Sequence, residues 1–249
     1  MSKELDQAED ARLAGNYNQA KIAYEQIMQD EDQSNITKAH AMRGLAEVNR
    51  MIEDLDGAKH YYNKALASYK SLKNSDGVGF IYLGIGQLSR HQNNAEEAIQ
   101  NINLAKETFS KTDNKYGIAD ANIELGHLQI SKLKYSEAVQ AFVVANDYYN
   151  QLQDQWGIAD SLLGLGKAYR LKQNIDLAKD ALTKAVLNYQ NNNNKLGVAN
   201  AHNELGKLYQ SMNETNSAIE FYSKAQTLYA QMNETKQVEK IQAELDKLT

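Results

Sequence analysis

The chain has 249 residues, a formal charge of −5 at pH 7, and neither cysteine nor proline. Disulfides and thiolate metal sites are therefore excluded, no helix carries a proline kink, and the acidic balance argues against a general nucleic-acid or anionic-membrane binder. No run of about 18 apolar residues occurs, so no membrane insertion is expected, and the first residues lack the apolar stretch of a secretory signal, which points to the cytoplasm.

In chain order, residues 1–34 hold a weak version of a pattern that the rest of the chain repeats. Ala8, Gly15, Tyr17, Ala20 and Tyr24 fit it, but Gln7 stands where a large apolar residue belongs. A polar, atypical first repeat is what the end of a stacked array requires. From residue 35 the period is forty, with repeats at 35–74, 75–114, 115–154, 155–194 and 195–234. Each holds a large residue followed by a small one: Leu45-Ala46, Ile85-Gly86, Leu125-Gly126, Leu165-Gly166, Leu205-Gly206. Further on comes an alanine (Ala58, Ala98, Ala138, Ala178, Ala218), then a bulky residue, a second alanine, and an aromatic (Tyr69, Phe109, Tyr149, Tyr189, Tyr229). The last three steps, of 4, 3 and 4, place these side chains on one helix face. Every repeat is thus a pair of amphipathic helices.

Asn/Asp-containing breaks, such as Asn93-Asn94, Asp113-Asn114 and Asn191 to Asn194, separate the helices, as their capping chemistry suits. Residues 235–248 carry Val238, Ile241, Leu245 and Leu248 on one stripe and read as a single closing helix. Stacked repeats share a continuous core, so residues 1–249 are expected to form one all-α domain of about six hairpins plus a capping helix.

Chemistry-bearing motifs are scarce. Neither a phosphate-binding Gly-x4-Gly-Lys-Ser/Thr loop nor His-Glu-x-x-His occurs, and Gly77-Val78-Gly79 and Gly84-Ile85-Gly86 have no preceding strand, so helix packing explains these glycines better than a nucleotide. Asp120, Glu124 and His127 share one helix face and form the best candidate for metal ligation or acid–base work. No second cluster converges with them, and solvated or partner-binding roles are preferred. The expectation is a non-enzyme with no cofactor and no metal. Trp156, aligned with Asp76, Tyr116 and Leu196, is expected to be buried between neighbouring repeats.

The large–Gly pair, the mid-repeat alanine, the later aromatic, and above all Leu205-Gly206-Lys207-Leu208-Tyr209 resemble the tetratricopeptide repeat (TPR). That family's usual repeat is about 34 residues. The longer period, without the closing proline, is similar to the repeats of Pins/LGN-type adaptors and bacterial TPR regulators, and should lengthen the second helix by more than one turn. The resemblance implies a right-handed superhelical α-solenoid whose first helices line a concave groove. Groove positions carried over are Arg50, Gln87, Arg90, Asp120, His127, Asp160, Lys167, Arg170, Asn203 and Lys207. Lys167, Arg170 and Lys207 make the C-terminal floor basic, which selects a partner of opposite sign. The implied function is a scaffold or adaptor holding a protein or peptide partner, an acidic one, in this groove. The alternative is a regulatory peptide-sensing receptor belonging to a larger signalling protein. Self-association stays open, since solenoid ends and convex faces can pair.

Overall fold

The structure is a computed structural model that describes residues 2–248. Among them are thirteen α-helices and no strand: α1 Lys3–Leu13, α2 Tyr17–Gln29, α3 Asn35–Met51, α4 Leu55–Ser71, α5 Ser75–His91, α6 Ala95–Thr112, α7 Lys115–Ser131, α8 Tyr135–Leu152, α9 Gln155–Leu171, α10 Ile175–Asn191, α11 Lys195–Ser211, α12 Thr215–Gln231 and α13 Thr235–Leu245. None is long and apolar enough to cross a membrane.

The forty-residue period resolves into two beats of twenty. From Glu53 to Asn233, a left-handed residue recurs every twenty positions, with φ between 52° and 64°. The amide of the next residue then reaches back five positions to a carbonyl, as Asn194 does to Tyr189 at 2.9 Å. This is the closing bond of a Schellman motif. That same next residue opens the following helix: the Asn74, Asn114 and Asn194 side chains accept from the amides of Gly77, Gly117 and Gly197. Asparagine suits both tasks, because it tolerates the left-handed region and caps well. The run of four asparagines is accounted for in this way. Asn191 ends α10, Asn192 is its C-cap, Asn193 is left-handed and Asn194 caps α11.

Leu133 breaks the rule. It holds φ 59° while 73% exposed, where every other connection from Glu53 to Asn233 uses a polar or charged residue, Asn at four of them. Leu133→Asn is expected to raise stability by about 1 kcal/mol by relieving the left-handed cost, measured as a higher thermal midpoint.

Helix lengths correct one expectation. First helices α3, α5, α7, α9 and α11 have 17 residues each, and second helices α4, α6, α8, α10 and α12 have 17 or 18. The long period is therefore shared between both helices of a hairpin instead of extending the second alone.

The described residues fall into two compact halves that divide within α7, between Ala121 and Asn122. In the N-terminal half, Leu5, Ala8, Tyr24, Leu45 and Val48 form one core cluster, and Ala58, Tyr62, Tyr69, Ile81 and Leu88 another. Gln7 is exposed while Leu5 and Ala8 supply the buried face of α1, as an end repeat requires. In the C-terminal half, Phe142 and Leu165 pack together, Tyr189 with Val198, and Leu205, Tyr222 and Tyr229 with the closing helix. Ile241 of α13 is buried, with Val238, Leu245 and Leu248 half-buried beside the same cluster, so the expected stripe is the one in use.

Glycine is required where a ring lies on a helix backbone. A Cβ on Gly197 would sit 2.3 Å from the Tyr189 ring, and one on Gly157 2.2 Å from the Tyr149 ring. These contacts explain why Gly recurs before Ile or Val at 77, 117, 157 and 197, eight positions after the aromatic. They also correct the expectation for Trp156. Gly157 makes the close contact, and Trp156 is left 53% exposed, as is its C-terminal counterpart Leu196 at 44%.

Candidate functional site

First helices α7, α9 and α11 of the C-terminal half bound a concave cavity of about 400 Å³. Ile123 and His127 come from α7, Asp160, Leu163 and Lys167 from α9, and Asn200, Asn203 and Glu204 from α11. The forty-residue period is what aligns them: His127 and Lys167 occupy one column, as do Asp160 and Asn200. Of the residues expected in the groove, this cavity brings together His127, Asp160, Lys167 and Asn203. Arg50, Gln87 and Arg90 lie half-buried on α3 and α5 of the N-terminal half, and Asp120 lies on the part of α7 that belongs to that half.

The cavity walls are tethered to the core by tyrosines. Tyr189 Oη donates to Asp160 Oδ1 at 2.5 Å, and Tyr229 Oη to Asn200 Oδ1 at 2.6 Å. In the N-terminal half Tyr69 Oη and His40 Nδ1 are 2.7 Å apart at the same 29-residue separation. Where the core aromatic is Phe109, the partner at that separation is Phe80, packed edge-on at 4.9 Å between centroids. The core tyrosines, besides packing, also orient the groove wall. The signal lay in the pairing of identities at a spacing of 29: a polar residue opposite each of these tyrosines, phenylalanine opposite phenylalanine.

Charge in the groove differs from the expected basic floor. Glu204 Oε2 accepts from Arg170 Nε at 3.1 Å and Nη2 at 2.8 Å, while Oε1 accepts from Lys207 Nζ at 2.7 Å. The side chains of Glu204, Arg170 and Lys207 are 9%, 15% and 37% exposed. Burial alone would raise the Glu204 pKa; the two cations outweigh it and hold the carboxyl below its ordinary range. Two of the three basic residues are thus spent on a carboxylate of α11, leaving one net positive charge in that cluster. Lys167 differs from them, having no ion-pair partner among the described residues.

Asp160 is open to water yet flanked by helices. This partial dehydration lifts its pKa above the usual value, although the bond from Tyr189 opposes the shift. Its phenolic partner is neutral, so the carboxylate keeps its charge uncompensated. Asn200 has its carbonyl oxygen occupied by Tyr229 and retains its amide donors. Asn203 is the reverse, its carbonyl oxygen buried without a donor. The wall of α11 therefore offers the cavity the amide donors of Asn200.

In the N-terminal half, ionic groups fill the corresponding space. Arg12 bridges Glu9 at 2.7 Å and Glu47 at 2.9 Å, and the Arg43 guanidinium lies 5.3 Å from the centre of the Phe80 ring. The Asp120, Glu124 and His127 trio gains no metal-like geometry: among the described residues no group of three or more His, Cys, Asp or Glu side chains could hold an ion. His127 instead packs edge-on against Phe142, with centroids 5.1 Å apart. A second, larger cavity of about 700 Å³ opens between α10, α11 and α12, where Tyr189, Val198, His202, Lys224 and Leu228 line it.

A family model described as soluble NSF attachment protein, SNAP, matches residues 130–249. No curated protein matches the chain. Among solved structures, the chain is similar to BtubC (BKLC) from P. vanneervenii, with 17% identity over 89% of this chain and 91% of that one and a TM-score of 0.70. It is similar to a Rap protein complexed with Competence and Sporulation Factor, with 18% identity over 98% and 73% and a TM-score of 0.74. It is also similar to NprR in complex with its cognate peptide NprX, with 17% identity over 98% and 70% and a TM-score of 0.67. At these identities the likeness concerns the fold, which is a TPR-type helical repeat.

Proposed function

We propose that this protein is a cytoplasmic, non-enzymatic interaction scaffold, and that its C-terminal half holds an extended peptide segment of a partner, bearing an acidic side chain, between α7, α9 and α11. The observation that carries this reading is the concave cavity lined by the uncompensated Lys167 together with Asn203 and with Asn200, whose amide donors stay free. The Asn200 amide can donate to the carbonyl of an extended backbone. Lys167 adds a charge-assisted bond to a carboxylate. Apolar Ile123 and Leu163 supply area for a side chain between them.

A regulatory receptor that responds to a short peptide is the second reading. It is favoured by the likeness to two structures whose descriptions name a bound factor or peptide. On that reading the ligand is a free peptide; on the first it is a segment of a larger protein.

Immobilised protein is expected to retain a reproducible partner from host extract, and Lys167→Glu or Asn203→Ala is expected to lose it with helicity unchanged by circular dichroism. An identical set of bound proteins on parent and both variants would refute the groove as the site. The molecular size of the retained partner separates the two readings.

A further inference from the structure

We infer that the groove selects a dipolar segment, with a basic side chain facing Asp160 and an acidic side chain three residues away facing Lys167. This rests on the groove reading above and adds the spacing and sign of the charges. Asp160 and Lys167 both border the one cavity, and neither is neutralised by a counter-ion: the carboxylate meets only a tyrosine hydroxyl, and the lysine has no ion-pair partner among the described residues. Glu204 cannot serve Lys167, because both of its oxygens are held by Arg170 and Lys207. A purely acidic ligand would set like charge against Asp160, which costs affinity and disfavours that partner.

Seven residues separate Asp160 from Lys167, which is two helical turns. At 1.5 Å per residue the two groups stand about 10 Å apart on nearly the same face of α9. A polyproline-II segment returns each side chain to the same face every three residues, after about 9 Å. Long charged side chains absorb the remaining difference. A helical ligand could match the spacing with charges seven apart, but its backbone groups are already bonded internally. The donor of Asn200 would then go unmatched. An extended ligand satisfies it, since polyproline-II backbone is free of internal hydrogen bonds and keeps its carbonyls available.

The probe is a random dodecapeptide library displayed on phage and selected against the full chain. Enriched sequences are expected to carry Lys or Arg and Asp or Glu at positions three apart. Representative peptides are then synthesised, and their binding is measured by fluorescence anisotropy on the parent, Asp160→Asn and Lys167→Gln. Asp160→Asn keeps an acceptor for Tyr189, so the wall stays in place. It should lose roughly fivefold in affinity for the basic–acidic peptide and nothing for a version whose basic residue is replaced by glutamine. Lys167→Gln should show the converse, insensitive only to loss of the acidic residue. Enriched peptides with no such charge pair, whose binding still falls on Asn203→Ala, would overturn the dipolar inference and leave the groove reading standing. Failure to enrich any peptide, or binding unaffected by all three variants, would overturn both.

Discussion

Glu204→Ala is expected to lower the unfolding free energy by about 3 kcal/mol, read as a drop in the urea midpoint at unchanged slope. The magnitude follows from what is left behind. Arg170, half-buried on α9, would lose both of its bonds to Oε2, and a guanidinium cannot shed its charge to escape the cost. Lys207 is more exposed and can swing into water, which keeps the estimate at the lower end of what breaking a buried ion pair costs. Glu204→Gln retains an acceptor and the shape, so a smaller loss is expected. The pH dependence has a definite sign. A carboxyl whose pKa is depressed in the folded state contributes stability that is present above its ordinary unfolded value and is lost as pH falls through the folded value. The stability difference between parent and Glu204→Gln should accordingly be full at neutral pH and shrink on acidification below the ordinary carboxylate range. The same cluster makes Arg170→Glu a poor probe of ligand binding, because it would place a second carboxylate against a buried one. Lys167 is the cleaner position.

The repeat columns made the helices, their buried faces and the closing stripe of α13 legible, because periodic apolar residues report burial directly. The charge of the groove was not legible in the same way. In Glu204's column, Gly44, Gly84 and Gly164 lie under the rings of Tyr24, Tyr62 and Phe142. The counterpart of those rings before α11 is Leu182, and the position carries glutamate instead of glycine. A break in the glycine column was therefore the visible sign of a buried acid, but which cations it would capture depends on the packing of α9 against α11. Trp156 failed for a related reason. Period alone cannot say which of two adjacent residues faces the neighbour, and Gly157, which admits the Tyr149 ring, takes that place. The tyrosine tethers needed the 29-residue pairing, which joins the second helix of one repeat to the first helix of the same repeat and is invisible to a search for columns.

Gly197→Val is expected to destabilise the C-terminal half by about 3 kcal/mol and to weaken groove binding as well. A Cβ at this position would meet the Tyr189 ring at 2.3 to 2.5 Å, so the ring must move. Tyr189 is buried among Ala159, Ala185, Val198 and Ala201, and a shift of its ring breaks those contacts. Its hydroxyl is also the donor that fixes Asp160 at the groove wall, so a shift in the core is transmitted to the site. The two consequences can be separated. Tyr189→Phe keeps the packing and removes only the tether, at about 1 kcal/mol; it should leave the thermal midpoint near the parent's while relaxing the preference for a basic residue opposite Asp160. A double-mutant cycle completes the test. In Gly197→Val with Tyr189→Ala, the valine enters space vacated by the ring, so the combined loss should fall short of the sum of the single losses by more than 1 kcal/mol. Strict additivity would mean that the ring and the glycine do not meet, and the coupling of core to groove through Tyr189 would then be wrong.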